Sequence, residues 1–274
     1  MNNLFNQLLG PFGSQIIDLL EDRLIHPSDG LAPQYAMLDK YQRGEDLGPI
    51  SWMPLESLTP EILNLEEVRN SGFRSIDFPV FLGKPSVQKT IMVCAMDPLC
   101  NDDHPGLIGS WVPFSILKQP ADFRGSDRSN HAFFQPLREQ FNLYITDIYK
   151  LYFKYGARKS NQLSAYTKLK IHREILQEEI RIIQPDSIVT LGNAAKNALA
   201  QLLNAEQKAS HQIIHRINTY QWDENCRIYH LPHISGLAGG AKKKLLQDAY
   251  LPGKMLNEQL ANYLIELLRQ SPRG

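Results

Sequence analysis

The sequence predicts a three-layer α/β/α sandwich built on a central, mainly parallel four-stranded sheet. Short apolar segments, the amphipathic segments between them and the spacing of both along the chain indicate this fold class. Strands that alternate with helices form βαβ units with right-handed crossovers. We therefore expect one α/β domain over residues 86–274, preceded by a different kind of segment.

The first 85 residues show no clear strand alternation. Residues 1–26 have the pattern of an amphipathic helix, interrupted by Pro11 and Gly13. The stretch from Pro27 to Gly48 is polar and irregular. We interpret residues 1–85 as a mostly helical extension that packs on the main domain.

Four short segments are strand candidates, and the uncharged apolar run Ile91–Ala95 in the first of them is typical of a strand buried on both faces of a sheet. They are "TIMVCAM" at 90–96, "LYITDIY" at 143–149, "SIVTLG" at 187–192 and "RIYHLPH" at 227–233. Open α/β sheets bind ligands outside the carboxyl ends of their strands. Three polar residues at or near these ends, Asp97, Asp147 and His233, are therefore expected to converge on one cleft.

Three helices complete the predicted domain. The segment "AYTKLKIHREILQEEIRIIQ" carries one apolar stripe, formed by Ile171, Ile175, Leu176, Ile180 and Ile183. The segment "NAAKNALAQLLNA" begins at an asparagine N-cap after Gly192, and "KMLNEQLANYLIELLRQ" closes the chain as an amphipathic helix.

Composition limits the partners and the compartment. The 29 basic and 29 acidic residues balance, so a polyanion would have to be bound by a local patch. Three cysteines, at 94, 100 and 226, lack metal-ligand spacing and suit packing positions in a reducing cytoplasm. No signal peptide and no run of about 20 apolar residues is visible. We expect a soluble cytoplasmic protein, without metal or other cofactor and without membrane contact.

Three motifs stand at the ends of predicted strands. They are Ala95-Met96-Asp97-Pro98-Leu99 continuing to Phe114-Ser115, then "YITDIYK" at 144–150, then "HISGLAGG" at 233–240. In this order they resemble the water-activating motif, the base-reading strand and the histidine loop of the uracil-DNA glycosylase superfamily. The resemblance spans residues 90–245 and implies a DNA glycosylase of base excision repair, acting as a monomer on uracil-containing or damaged DNA.

The resemblance also implies a role for each matching residue. Asp97 would orient water and stabilise the sugar cation, and His233 would hydrogen-bond the departing base. The flipped base would meet Met96, Leu99, Phe114 and Asp147, and the DNA would meet Ser235, the wedge residue Leu237, and Lys242, Lys243 and Lys244.

Two positions depart from the family pattern. Asp147 stands where the common base-reading residue is asparagine, and an ionised carboxylate only accepts hydrogen bonds. It suits the N3–H of uracil but repels O4, unless it is protonated in a dry pocket. Leu99 replaces a tyrosine that excludes 5-methyl groups, so the pocket could be wider.

Simpler interpretations stay open for several of these residues. An Asp-Pro pair after a strand is often a turn, Asp147 could cap local backbone, and Leu237 could be a packing residue. His230 competes with His233, and a lysine run is usually a solvated helix face. The acidic loop "NDDHPG" at 101–106 has no second ligand cluster that would support a metal site.

Two other functions remain as alternatives. The first is a non-catalytic nucleic-acid or nucleotide-binding relative of the glycosylase fold, in which Asp147 and Leu99 mark a remodelled pocket. The second is a hydrolase or nucleosidase that acts on free nucleosides. Release of a free base from an oligonucleotide distinguishes the glycosylase from both.

Overall fold

The structure of the protein is a computed structural model, and it describes residues 9–26, 31, 40, 43, 45, 53–70, 72–76, 79–84, 86–96, 99–100, 120–123, 127–154, 168–202, 212–214, 217–222 and 226–270. The chain divides into two compact units. The first comprises Met1–Phe81, Asp97–Leu117 and Thr146–Ile183, and the second comprises Leu82–Met96, Lys118–Ile145 and Gln184–Gly274. The predicted division into residues 1–85 and 86–274 stays a prediction.

Most of a seven-stranded sheet belongs to the second unit. Its strands are β2 (Val80–Leu82), β3 (Thr90–Ala95), β5 (Asn142–Asp147), β7 (Ser187–Leu191), β8 (Gln212–Ile214), β9 (Ile217–Gln221) and β10 (Arg227–Leu231), in the order β2-β5-β3-β7-β10-β9-β8. β7 pairs in parallel with β3 and with β10, whereas β9 pairs antiparallel with β10 and with β8. The α/β class and the mainly parallel central sheet are confirmed.

The four predicted strands correspond to β3, β5, β7 and β10. The prediction of four strands was too low, because it omitted β2 at one edge and the β8–β9 hairpin at the other. β2 and β8 have three residues each, too few to show a period, and β9 has no regular alternation of apolar and polar residues.

The strand order defines where a ligand site is expected. The chain runs from β3 outward to β5 and then returns past β3 to β7, so the connections leave β3 in opposite directions. Such a switch point opens a crevice at the carboxyl ends of the strands. The register pairs Cys94 with Thr190 and Leu191 with Leu231, so β3, β7 and β10 end at the same level of the sheet.

In the part of the chain that the structure describes, the second unit contains the helices α4 (Asp127–Gln140), α6 (Gly192–Leu202), α7 (Gly239–Leu246) and α8 (Leu256–Gln270). The predicted C-terminal helix is α8, which buries Leu260, Leu264 and Leu268 at a spacing of four residues. It packs along α4, whose Phe133 and Phe134 are also buried. Together with the sheet, the helices form the predicted three-layer α/β/α sandwich.

The first unit contains α1 (Gly13–Leu24), two short helices, α2 (Pro60–Leu63) and α3 (Glu66–Arg69), and α5 (Lys170–Ile183). A three-stranded sheet joins β1 (Phe73–Ile76), β6 (Leu151–Lys154) and β4 (Leu99–Cys100). The five apolar residues of the stripe predicted for α5 are all buried. β1 and β2 lie where no strand was predicted.

Among the helices that the structure describes, none has both the length and the apolar composition needed to cross a bilayer. The cysteines Cys94 and Cys226 are buried, as expected for packing residues. The side chain of Cys100 lies outside the described residues.

Candidate active site

The chain passes from β7 into α6 through a glycine that faces a histidine. Gly192 has a φ of +91°, a backbone conformation that side chains with a Cβ rarely adopt. A Cβ at this position would lie 3.1 Å from the Cβ of His233 and 3.4 Å from its Cδ2. Glycine therefore allows the strand-to-helix turn to lie directly against the imidazole.

His233 is held in one tautomer by its own loop. It follows β10 by two residues, and its Nδ1 accepts a hydrogen bond of 3.0 Å from the backbone N–H of Ser235. Because Nδ1 is the acceptor, the neutral ring carries its proton on Nε2. Burial, and to a smaller extent the positive charge of Lys242, lowers the pKa of His233 below its ordinary value. His233 is thus a neutral hydrogen-bond donor near pH 7.

A cavity of about 570 Å³ opens beside this histidine. Its lining comes from the start of α6, the end of β10 and α7, and includes Asn193, Lys196, His230, His233 and Lys244. None of the described residues that line it is acidic. The volume lies within the range of small-molecule sites, and the two lysines favour an anionic ligand.

The loop after His233 presents a large apolar side chain to solvent. Residues Gly236–Ala238 form a 3₁₀ turn that leads into α7, and the side chain of Leu237 is fully exposed. Leu237 is therefore not a packing residue. A leucine exposed to this extent at the tip of a loop suits insertion into a partner.

The three lysines of α7 differ in their surroundings. Lys243 and Lys244 are exposed, and the Nζ of Lys243 lies 5.2 Å from the centroid of the Tyr250 ring. Lys242 is buried, with 2 % of its surface exposed, and its Nζ donates hydrogen bonds within the protein. The prediction that Lys242 contacts phosphate is therefore wrong for this structure, because its ammonium group is already enclosed.

His230, the competing histidine, also lines the cavity but has partners inside the sheet. Its Nδ1 is hydrogen-bonded to Oγ1 of Thr190, and its ring lies edge-on to Tyr220 with centroids 5.0 Å apart. These contacts fix His230 between neighbouring strands. His233 lies in the loop after β10, and its choice over His230 as the base-contacting histidine stays a prediction.

A family model described as the uracil DNA glycosylase superfamily matches residues 114–252, just over half of the chain. The chain belongs to the uracil-DNA glycosylase superfamily. The matched range contains residues 144–150 and 233–240, which were predicted to be the base-reading strand and the histidine loop, and it begins after Asp97. No curated protein matches the chain.

Asp147, the residue predicted to read the base, is the last residue of β5. Asp147 is buried, with 2 % of its surface exposed, and belongs to the first unit. Its neighbours in the chain are held by a buried ion pair: Lys150 donates to both carboxylate oxygens of Glu179, at 2.9 Å each, and to Oγ1 of Thr146. Oγ1 of Thr146 lies 3.1 Å from Glu179 Oε1.

This ion pair was not predicted from the sequence. The available signal was a glutamate within the apolar stripe of α5, where Glu179 lies three residues after Leu176 and four before Ile183. A carboxylate in such a position needs a cationic partner, which Lys150 provides.

The remaining site residues of this superfamily member are only partly described. Met96 is half-buried directly after β3, and Ser235 is half-buried in the histidine loop. Asp97, Phe114 and the side chain of Leu99 lie outside the described residues. That Asp97 faces His233 therefore stays a prediction. Among the described residues, no three His, Cys, Asp or Glu side chains are grouped so that they could hold a metal ion.

Proposed function

We propose that the protein is a DNA glycosylase that removes uracil, or a related damaged base, after the nucleotide has flipped out of the DNA. The observation that supports this most directly is the neutral imidazole of His233, whose Nδ1 accepts the N–H of Ser235, so that the ring proton lies on Nε2. Superfamily membership makes this the reaction to which that donor is suited.

Hydrolysis breaks the bond between C1′ of the deoxyribose and the base nitrogen. The water oxygen is added to C1′ and a water proton leaves with the base. In the transition state the sugar becomes positive and the base negative, so the site must stabilise both charges. We assign the sugar side and the positioning of water to the carboxylate of Asp97.

The base side is assigned to His233. A neutral imidazole stabilises the anionic base oxygen by donating a hydrogen bond, without having to transfer a proton. The burial that lowers the pKa of His233 keeps the ring in this form. The nearby charges of Lys196 and Lys244, which line the same cavity, add to the stabilisation of an anion.

DNA binding and base flipping are assigned to the loop and helix that follow. Leu237 would fill the space that the flipped base leaves, which offsets part of the few kcal/mol that unstacking costs. Lys243 and Lys244 would contact phosphates on the same side. Ser235 would lie beside them, at the start of the turn.

Which base is excised depends on the hydrogen bonds that Asp147 can form. As a buried acceptor it pairs with the N3–H of uracil, and it pairs with O4 only when protonated. The same position supports the alternative of a non-catalytic relative that binds nucleic acid or nucleotides. The base excised is therefore part of the test.

The test is release of free base from oligonucleotides that carry one uracil, hypoxanthine, cytosine or mismatched thymine. We expect abasic sites from uracil or a related base, and their loss in Asp97→Asn and His233→Ala. His26→Ala is the matched control, because His26 is outside the cavity lining.

Two results would contradict the proposal. Folded protein that releases no base from any substrate, yet binds DNA in a salt-sensitive manner, would establish the non-catalytic alternative. Release of base from free nucleosides, with no preference for DNA, would instead indicate a nucleosidase.

A further inference from the structure

We propose that Lys242 and Asn257 are positioning residues that hold the histidine loop in its working geometry, an inference that rests on the proposed function. Neither residue is placed to touch DNA, since both are buried. They act through the peptide between Ile234 and Ser235, which links them to the imidazole of His233.

Lys242 uses all three of its donors on this loop and its support. Its Nζ lies 3.1 Å from the carbonyl oxygen of Ile234, 2.9 Å from that of Ser235 and 2.6 Å from Oδ1 of Asn257. An ammonium group has three N–H donors, so these contacts satisfy it. Two consecutive carbonyls of the loop are thereby turned towards the same buried charge.

Asn257 connects the loop to the helices behind it. It is the second residue of α8, and its amide nitrogen lies 2.7 Å from the carbonyl oxygen of Ile234. The same nitrogen lies 2.9 Å from both the carbonyl oxygen and Oγ of Ser129 in α4. Because α4 and α8 pack along each other, Asn257 anchors the loop to a rigid support.

The peptide plane transmits this anchoring to the histidine. The carbonyl of Ile234 and the N–H of Ser235 belong to one trans peptide, so they point in opposite directions from a planar unit. Lys242 and Asn257 bind the oxygen side, and Nδ1 of His233 accepts from the N–H side. A change at either anchor frees this peptide to rotate and removes the hydrogen bond that sets the tautomer.

Lys242 also supports the turn that presents Leu237, the proposed wedge residue. The carbonyl oxygen of Ser235 accepts both from Lys242 and from the backbone N–H of Ala238, at 3.2 Å. The second hydrogen bond closes the turn that presents Leu237. One buried lysine therefore orients both the base-contacting histidine and the leucine.

Burying a charge costs free energy, so the burial of the Lys242 ammonium group needs an explanation. An apolar residue of similar volume often replaces a buried charge without loss of stability. A methionine at position 242 could fill the space but could not bind two carbonyls and an amide oxygen. The ammonium group is thus suited to fixing backbone direction, which packing alone does not do.

The experiment compares Lys242→Met and Asn257→Ala with the parent, using Lys84→Met as the matched lysine control. Lys84 is exposed, and its backbone N–H contacts Asn142 at the start of β5, away from the strand ends that carry the site. ¹⁵N NMR of the imidazole reports the tautomer of His233, and amide hydrogen exchange reports the N–H of Ser235.

We expect the Ser235 amide to exchange at least about tenfold faster in both variants, and the Nδ1 and Nε2 shifts of His233 to become those of mixed tautomers. Base release in single turnover should fall by at least about tenfold, with a smaller change in DNA affinity. Lys84→Met should match the parent in all three measurements.

Parent-like exchange and tautomer in a folded variant would overturn the inference, whatever the activity. If Lys242→Met does not fold, Asn257→Ala carries the test, because it removes a donor to the carbonyl of Ile234 and leaves the buried ammonium group in place. The NMR measurements require no catalysis. A parent that releases no base therefore refutes the proposed function, while the positioning of His233 is still tested.

Discussion

At the scale of single residues, the candidate site depends on how closely backbone and imidazole approach. Gly192 and His233 lie on different segments, yet a methyl group added to the glycine would lie 3.1 Å from the Cβ of His233. A positive φ and a close neighbour thus coincide at one position. The sequence shows a glycine after an apolar strand, but only the fold reveals what it faces.

Gly192→Ala should destabilise the protein by about 1–3 kcal/mol, since alanine is strained at this φ. It should also displace His233 and reduce base release, as measured by urea unfolding and single-turnover assays. Gly240→Ala is the matched control, because a Cβ there meets no atom within 4 Å. Equal effects of the two substitutions would contradict this account of the turn.

A second prediction follows from the lowered pKa of His233. Its pKa in the folded protein lies below the ordinary 6.5, so the neutral form persists below pH 6.5. Between the two pKa values the unfolded chain binds more protons. The contribution of neutral His233 to the free energy of unfolding is therefore complete above pH 6.5, and it is lost as the pH falls through the pKa of the folded state.

NMR titration of the imidazole should give this lowered pKa, and activity should decline only below it. The urea midpoint of the parent should fall on acidification through this range more steeply than that of His233→Gln. A titration at or above 6.5 would show that the ring is not enclosed as described.

At the scale of elements, the sequence predicted the four inner strands and the helix stripes because their burial produces a regular apolar pattern. It did not predict the β8–β9 hairpin, because β8 has only three residues and β9 has no regular alternation of apolar and polar residues. It also misassigned Lys242, because three adjacent lysines look equally exposed along a helix. Which of them is enclosed depends on Asn257 and on a loop whose carbonyls point inward.

Substitutions in the buried pair of Lys150 and Glu179 test whether this ion pair stabilises the turn after β5. Both side chains are at most 1 % exposed, so removing one partner leaves an uncompensated charge. Lys150→Met should cost about 3–5 kcal/mol in urea unfolding. The double variant with Glu179→Leu should recover much of this loss.

The double variant also separates stability from function. If the pair only stabilises the fold, the double variant should keep the base preference of the parent. If it orients Asp147, the discrimination between uracil and cytosine should change although stability is recovered. A double-mutant cycle with additive free energies would contradict the contact itself.

At the scale of the whole molecule, a chain with no net charge has to bind DNA through a local patch. Lys243 and Lys244 are exposed on α7 beside the cavity, whereas Lys84 and Lys89 lie near the starts of β5 and β3, at the opposite edge of the sheet. The two pairs carry the same charge at opposite ends of the strands. They therefore separate the effect of position from the effect of net charge.

Affinity for an undamaged duplex should fall linearly on a plot of log K against log salt concentration. Lys243→Ala with Lys244→Ala should lower the slope by about one for each phosphate contact removed. Lys84→Ala with Lys89→Ala should leave the slope unchanged, as measured by fluorescence anisotropy at several salt concentrations. If both pairs changed the slope equally, DNA would respond only to net charge, and the α7 surface would not be the binding face.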